Sequence, residues 1–326
     1  MNFPLPYPLP FDPDHFDVFH LGISGGKDST ALFLWYIYES GLPLSKLIAT
    51  ICDTGNEDDF TYRFVEMLSR IHPIRVIQPE RDFWELAEWK QRFPSGQARF
   101  CTQWLKVIPS REFVLDLMRQ GKEVLLMNGV RRGESTDRAN TPEYNFDLGY
   151  GTSVYRPLVT WEIDHIWEIH KRYLNLQDVV GIVESDLDLS DELKGEIITR
   201  IQGHSIPRNP LYDMGAHRVG CFPCMDSDKL AIRGMAKYRP RRIDFIRGKE
   251  QTIGKRGYST FFVPAKVPPG YRREFTTTKG KTHQIATIDD VVEWSQTAYG
   301  GKQYDFDPEI INPGQFMVCG LNGECE

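Results

Sequence analysis

Short apolar runs alternate with longer amphipathic stretches along the first half of the chain. Phe16 to Ile23 is mostly apolar, lies between Pro13 and the pair Gly25-Gly26, and suits a strand covered on both faces. Asp28, Ser29 and Thr30 are N-cap types that precede the apolar run Ala31 to Tyr38, so a helix is expected to begin there and stop near Gly41. Leu47 to Cys52 then reads as a strand, Asp58 to Ile71 as a helix, Pro73 to Gln78 as a strand and Asp82 to Phe93 as a helix. A helix reaching Gln120, a fourth strand over Glu123 to Val130, a strand over Tyr155 to Trp161 and a capped helix over Asp164 to Tyr173 follow. Strands alternating with helices predict an α/β fold on a doubly wound parallel sheet.

The pattern then loosens. Leu174 to Gln202 holds an acidic stretch, Glu184 to Glu192, and a helix from Glu192 to Ile201, and reads as an inserted lobe over 174–203. Lys229 to Phe245 reads as a helix running into Pro240, Ser259 to Tyr271 as an exposed proline-bearing loop, and Ile288 to Ala298 as a short acidic helix. The expected organisation is a nucleotide-binding α/β domain over 1–225 and a basic, α-rich carboxyl-terminal extension over 226–326 that ends in a cysteine-bearing tail.

Charge sharpens this division. The chain carries a net −6, yet Asp226 to Thr282 alone holds 15 Lys plus Arg against 5 Asp plus Glu, which leaves −16 for the rest. A partner with phosphates is one reading and a solvated basic surface the other; only a stripe gathered on one face makes a nucleic-acid footprint. The start, Met1 to Pro8, has no basic residues and is broken by prolines, so neither a signal nor a transit peptide is expected. No apolar run reaches the roughly 20 residues of a membrane span, which gives the expectation of a cytoplasmic protein with no membrane partner and with its six cysteines reduced, buried or metal-bound.

The candidate chemistry starts at Ser24-Gly25-Gly26-Lys27-Asp28-Ser29. Adjacent glycines let the backbone take positive φ and bring N–H groups to an anion, and the helix start adds its positive end. Lys27 supplies a mobile charge, and Ser24 and Ser29 supply hydroxyls. The spacing is not that of a Walker A loop. Asp53, at the end of the second strand, opens Asp53-Thr54-Gly55-Asn56-Glu57, where ligands collect in open parallel sheets. After the fourth strand, Arg131, Arg132 and Arg138, with Glu134 and Ser135, suit bidentate anion recognition. Cys221-Phe222-Pro223-Cys224 has three readings: zinc, a redox dithiol or an iron-sulfur cluster.

Ser-Gly-Gly-Lys-Asp-Ser resembles the PP-loop of ATP pyrophosphatases, the group that includes adenylylsulfate and phosphoadenylylsulfate (PAPS) reductases and several sulfur transferases. Asp53-Thr54-Gly55 and the Gly129 to Arg138 element are similar to segments of the same reductases, and Cys101-Thr102-x-x-Leu105-Lys106-x-x-Pro109 resembles a segment of the iron-sulfur ATP pyrophosphatases of DNA phosphorothioation. The resemblance implies cleavage of ATP between its α and β phosphates, with Lys27, Lys106 and Arg131 acting on the phosphates and Mg²⁺ present. Adenine would lie near Asp53. It also implies a 4Fe-4S cluster on Cys101, Cys221 and Cys224, with Cys325 or Cys319 as fourth ligand or an open fourth iron. The partners implied are nucleic acid (DNA rather than RNA), a sulfur donor such as a cysteine desulfurase, and other pathway subunits.

Two alternatives stand beside this. Cys319-Gly320-Leu321 resembles the segment in which adenylylsulfate reductases carry their nucleophile, which gives a reductase releasing sulfite; Val318, Asn322 and the lack of a Cys-Cys pair depart from that pattern. The third reading is a nucleotide-gated nucleic-acid-binding subunit with vestigial hydrolysis.

Overall fold

The first three strands run side by side in parallel and spread outward from the middle of the sheet. The computed structural model describes residues 9–254, 259–277 and 279–298. β1 (Val18–Gly22) leads into α1 (Lys27–Tyr38), β2 (Leu47–Cys52) into α2 (Asp59–Ser69), and β3 (Ile74–Ile77) into α3 (Phe83–Lys90). A helical run begins at Phe100, widens into a π turn over Gln103–Val107 and continues as α4 (Ile108–Arg119) before β4 (Val124–Met127). The sheet order is β3-β2-β1-β4, then β6 (Thr152–Tyr155) and β5 (Tyr144–Asp147); only the β5–β6 pair is antiparallel. The order reverses between β1 and β4, and the crevice beyond their carboxyl ends is where such sheets bind ligands.

Period-2 alternation decides which face each residue serves. Val18, Val124, Leu126 and Val154 pack under α4 with Val114 and Leu117. Phe19, Leu21, Leu125, Met127 and Tyr155 face the larger core on the other side. All four residues of β4 are buried, which is why this strand reads as an uninterrupted apolar run.

The expected strands appear in the expected order, with differences that have local causes. α1 begins at Lys27 on an extended Gly26, so Asp28 and Ser29 lie inside its first turn rather than capping it. Residues 99–109, expected to precede a helix, are largely helical themselves. Pro109 has no N–H to offer Leu105, and Ile108 bonds five residues back to Gln103, which widens the ladder there. The strand expected from Tyr155 instead ends at Tyr155, because Pro157 cannot donate to a ladder; its partner β5 was hidden by a polar sequence.

After α5 (Ile163–Tyr173), the segment expected as a lobe forms α6 (Leu176–Glu184) and α7 (Asp191–His204). Val179, Val183, Ile197 and Ile201 of these helices share the main core, as do Ile232 and Met235 of α8 (Lys229–Tyr238) and Ile246 of α9 (Pro240–Thr252). The loop around 259–271, expected to be exposed, is held by Phe261 and Phe262, which are fully buried. A small hairpin, β7 (Arg273–Thr276) with β8 (Thr282–Ile285), precedes α10 (Ile288–Ser295). None of the described helices is long and apolar enough to cross a membrane.

Of the fifteen cations counted over 226–282, six among the described residues meet carboxylates inside the molecule. Arg239 pairs with Asp58 and Asp186, Arg241 with Asp188, Arg247 with Asp244 and Asp289, Lys249 with Glu88, Lys237 with Glu196 and Arg273 with Asp290.

Candidate functional site

The glycine turn lies at the switch point. Gly25 takes φ +71°, and a Cβ there would come within 2.9 Å of the Thr61 methyl, so only glycine fits both the backbone angle and the space. Ser24 and Ser29 join their hydroxyls at 3.1 Å across the turn, and the Ser24 N–H donates to Ser29 Oγ at 3.1 Å. No side chain of its own N-cap closes α1; instead the Tyr212 hydroxyl accepts from the Lys27 N–H at 2.9 Å. Asn209 Nδ2 donates to the Gly25 carbonyl at 3.3 Å, and buried His170 lies between the carbonyls of Lys27, 2.9 Å away, and Pro207, 3.0 Å away. Three residues from beyond position 169 thus hold a turn formed by the first thirty.

Asp28 is gripped from two sides, by Arg131 Nε at 2.6 Å and Lys27 Nζ at 3.4 Å. Arg131 is 5% exposed and also reaches the Trp161 carbonyl at 3.4 Å, so its position is fixed. The loop carrying it arrives through Gly129, where a Cβ would stand 2.6 Å from the Asp28 carbonyl oxygen. Arg138 pairs with Glu134. Burial lowers the Arg138 pKa, and the charges of Arg218 and Arg131 lower it further, while Asp28 opposes them. Lys27, Arg131, Arg138 and Arg218 therefore make one crowded cationic place, with Asp28 and Glu134 as its carboxylates. Arg132 is turned away to the Thr141 carbonyl at 3.0 Å, and Ser135 contributes its backbone carbonyl to the Arg138 N–H at 3.0 Å.

Asp53 stands at the end of β2. Its carboxylate accepts from the Tyr62 hydroxyl at 2.6 Å, the Gly55 N–H at 3.0 Å and Gln78 Nε2 at 3.0 Å. Burial by itself would raise this carboxyl, and the three hydrogen bonds outweigh it, so the group stays below the usual carboxylate range.

The thiols gather beside this strand end. Cys221 forms a bridge with Glu57 in the loop after β2, and the Phe222 N–H donates to the Asn56 carbonyl at 2.6 Å. Asn56 Nδ2 returns a bond to the Pro223 carbonyl at 3.1 Å, and Arg242 of α9 donates to the Phe222 carbonyl at 3.0 Å. Cys221 Sγ lies 3.5 Å from the Thr54 hydroxyl and 3.8 Å from Glu57. Lys106, on the π turn, has its ammonium pKa raised chiefly by Cys221, against burial and with help from Glu57 and Cys224. Burial pushes the Cys101 and Cys224 thiols up, and the charge of Cys221 pushes both further. Cys52 lies behind, its Sγ 3.7 Å from the Lys106 carbonyl, its thiol pushed up to about 11 by burial.

Cys221 thus acts electrostatically on Cys101, on Cys224 and on Lys106. Among the described residues, no three His, Cys, Asp or Glu side chains are arranged to hold a metal ion. Cys319 and Cys325 lie outside the described residues.

Residues 219–221 join the two places. The Val219 carbonyl would lie 3.3 Å from a Cβ on Gly26, a Cβ on Gly220 would lie 4.0 Å from Lys106 Nζ, and Cys221 follows. The sequence alone assigns Tyr212, Asn209, His170 and Arg218 no role at the site, and Gly129 enters only as the residue that opens the arginine element. Of these, Asn209 and Tyr212 sit in a proline-flanked run, Pro207 to Tyr212, whose stiffness was the available signal.

Residues 19–179 match the model of the phosphoadenosine phosphosulfate reductase domain. An uncharacterized 37.8 kDa protein of Escherichia phage 186 is 28% identical over 338 residues, covering 87% of this chain and 90% of that protein. The adenosine 5'-phosphosulfate reductase of Halalkalibacterium halodurans is 24% identical over 176 residues, 53% of this chain and 60% of the reductase. An uncharacterized protein of Methanocaldococcus jannaschii is matched over only 35% of its length, so the phage protein apart, the chain spans less than two thirds of these relatives. The crystal structure of the Candida auris phosphoadenylyl-sulfate reductase in complex with phosphate aligns at 14% identity and a TM-score of 0.41, over 66% of this chain and 90% of that one. The fold assignment rests on the sheet order itself. Over residues 19–179 the chain is thus similar to the phosphoadenosine phosphosulfate reductase domain and to adenosine 5'-phosphosulfate reductases.

Proposed function

We propose that the chain is an ATP pyrophosphatase that adenylates an acceptor for sulfur incorporation, with a DNA backbone phosphate as the acceptor, as in DNA phosphorothioation. The observation that carries this is the path through Val219, Gly220 and Cys221, which leads from the anion turn directly to Lys106 and the thiols. An activated phosphate and a sulfur-handling group are thereby neighbours.

ATP would lie with its phosphates over Ser24 to Ser29 and its adenine toward Asp53. An acceptor oxygen attacks the α phosphorus, the bond to the bridging α–β oxygen breaks, and pyrophosphate leaves with AMP joined to the acceptor. Lys27 and Arg131 stabilise the charge that develops on the departing phosphates, and the turn fixes the line of attack. Lys106 would meet the α phosphate from the thiol side. The hydroxyls of Ser24 and Ser29 are hard oxygen donors that suit a Mg²⁺ riding on the phosphates. An iron-sulfur cluster on Cys101, Cys221 and Cys224, completed by a cysteine of the tail, would supply sulfide or electrons, and would require these thiols to close into a ligand set that the described residues do not form. A cysteine desulfurase is the class of partner able to supply the sulfur.

The reductase relatives favour a second reading, in which Cys319 attacks the sulfur of an adenylylated sulfate, displaces AMP and forms a thiosulfonate that a dithiol such as thioredoxin resolves to sulfite and a disulfide.

Anaerobically purified protein incubated with MgATP, with and without DNA, and assayed for pyrophosphate, AMP and sulfite separates the two. Pyrophosphate from ATP that disappears in Lys27→Ala, with the fold intact, supports adenylation; undiminished release by that variant would reject the site. Silence with ATP, joined to sulfite production from adenylyl sulfate that Cys319→Ser abolishes, would establish the reductase.

A further inference from the structure

The surface beyond α3 carries rings and cations that neither the turn nor the thiols use. α3 buries Phe83, Trp84, Leu86 and Ala87, which leaves Trp89 off that face and 50% exposed. Its ring lies 5.5 Å from that of Trp104 at an interplanar angle of 64°. Trp104 belongs to the π turn, three residues after Cys101 and two before Lys106. Lys90 places Nζ 4.1 Å from the Trp89 ring and 5.1 Å from Trp104, Arg81 lies 4.9 Å from Trp89, and Arg92 lies 5.6 Å from Phe100.

We propose that this face binds single-stranded nucleic acid, with bases stacking on Trp89 and Trp104 and phosphates meeting Arg81, Lys90 and Arg92. Interleaved rings and cations are what such a strand needs, since every base offers a π face and every step a phosphate. A duplex hides its base faces and gains nothing from the indoles. An exposed cation–π contact is weaker than a stacked base, so Lys90 and Arg81 yield the rings and turn to the phosphates. The other basic region is a poorer fit: Lys237, Arg241, Arg247, Lys249 and Arg273 already face carboxylates of this chain, whereas on this face Arg81 shares its charge with Glu80 at 2.6 Å and the phosphates fall chiefly to Lys90 and Arg92. The inference rests on the adenylation reading only in giving the polymer its role as acceptor; the binding is argued from this face alone.

The test uses the full chain, a short fluorescein-labelled oligothymidylate and a duplex of equal length, with anisotropy read at low and raised salt and tryptophan fluorescence read alongside. The strand is expected to bind more tightly than the duplex, to quench the tryptophans and to weaken as salt rises. Trp89→Ala weakens strand binding about tenfold. Lys90→Glu combined with Arg92→Glu weakens it and flattens the salt dependence, and Arg241→Glu leaves it unchanged. The altered side chains lie at the surface, and a urea midpoint confirms the fold. Equal binding of strand and duplex, or affinity unmoved by both the Trp89 and the Lys90/Arg92 changes, overturns the proposal. Pyrophosphate release from MgATP by the unaltered protein, with strand or duplex supplied as acceptor, tests the adenylation reading separately: strand binding without pyrophosphate keeps this surface and rejects that reading, and pyrophosphate without preferential strand binding rejects this surface.

Discussion

Gly129→Ala isolates the contact between the arginine loop and the start of α1. The position needs no left-handed backbone, so the added methyl acts through space alone. It would stand 2.6 Å from the Asp28 carbonyl oxygen, 3.0 Å from its carbon and 3.4 Å from the Ser29 nitrogen. The first of these is roughly 0.8 Å short of ordinary contact, and the atoms it meets are helix backbone, which cannot swing aside as a side chain can. Either the loop or the first turn of α1 must move, at a cost of about 1–3 kcal/mol, the usual range for overpacking. Both carry residues of the proposed ATP site, so on that reading nucleotide affinity falls together with stability. Gly195 in α7 is the control, because a Cβ there meets nothing within 4 Å; Gly195→Ala gains helix propensity and stabilises by about 0.5–1 kcal/mol. Urea unfolding read by circular dichroism and ATP binding read by calorimetry measure both effects. A Gly129→Ala protein that unfolds at the unaltered midpoint and binds ATP as before would refute the argument that the loop and the turn are set against each other.

Arg239→Met leaves Asp58 and Asp186 buried without their cation and should cost about 3–5 kcal/mol, seen as a lowered urea midpoint, with Asp186→Asn recovering part of it. Glu250 accepts the N–H groups of Phe261 at 2.7 Å and Ile288 at 2.9 Å, and burial, helped by Asp289 and Asp290, raises its carboxyl to about 7. The folded state thus holds that proton more tightly than the unfolded chain, so this contribution to stability is full below about 4.5 and is lost as pH rises through about 7. Glu250→Gln should remove that slope, and urea midpoints that fall equally in both proteins between those pH values would count against it.

The parallel core was legible in the sequence because both faces of β1, β2 and β4 are covered, and double burial writes itself as an apolar run. β5 was not, since Tyr144-Asn145-Phe146-Asp147 is an edge strand with one polar side and gains its conformation from pairing with β6. The anion turn could be read because a glycine pair before a helix has few other uses. Its supports, His170, Asn209 and Tyr212, are ordinary core or loop residues in sequence and acquire a role only when the chain returns to the turn. The basic extension is a related case: charge counted along the chain does not say which carboxylate each cation meets in space.

The carboxylate of Asp28, lodged between Lys27 and Arg131, makes the empty turn its own counter-ion. A small monovalent anion offers those cations no more than Asp28 already gives, so chloride or acetate has little reason to enter. A polyphosphate brings several charges at once, which is what displacing Asp28 from both cations would take. On the nucleotide reading, a ligand of the turn must offer more charge than Asp28 already supplies to Lys27 and Arg131.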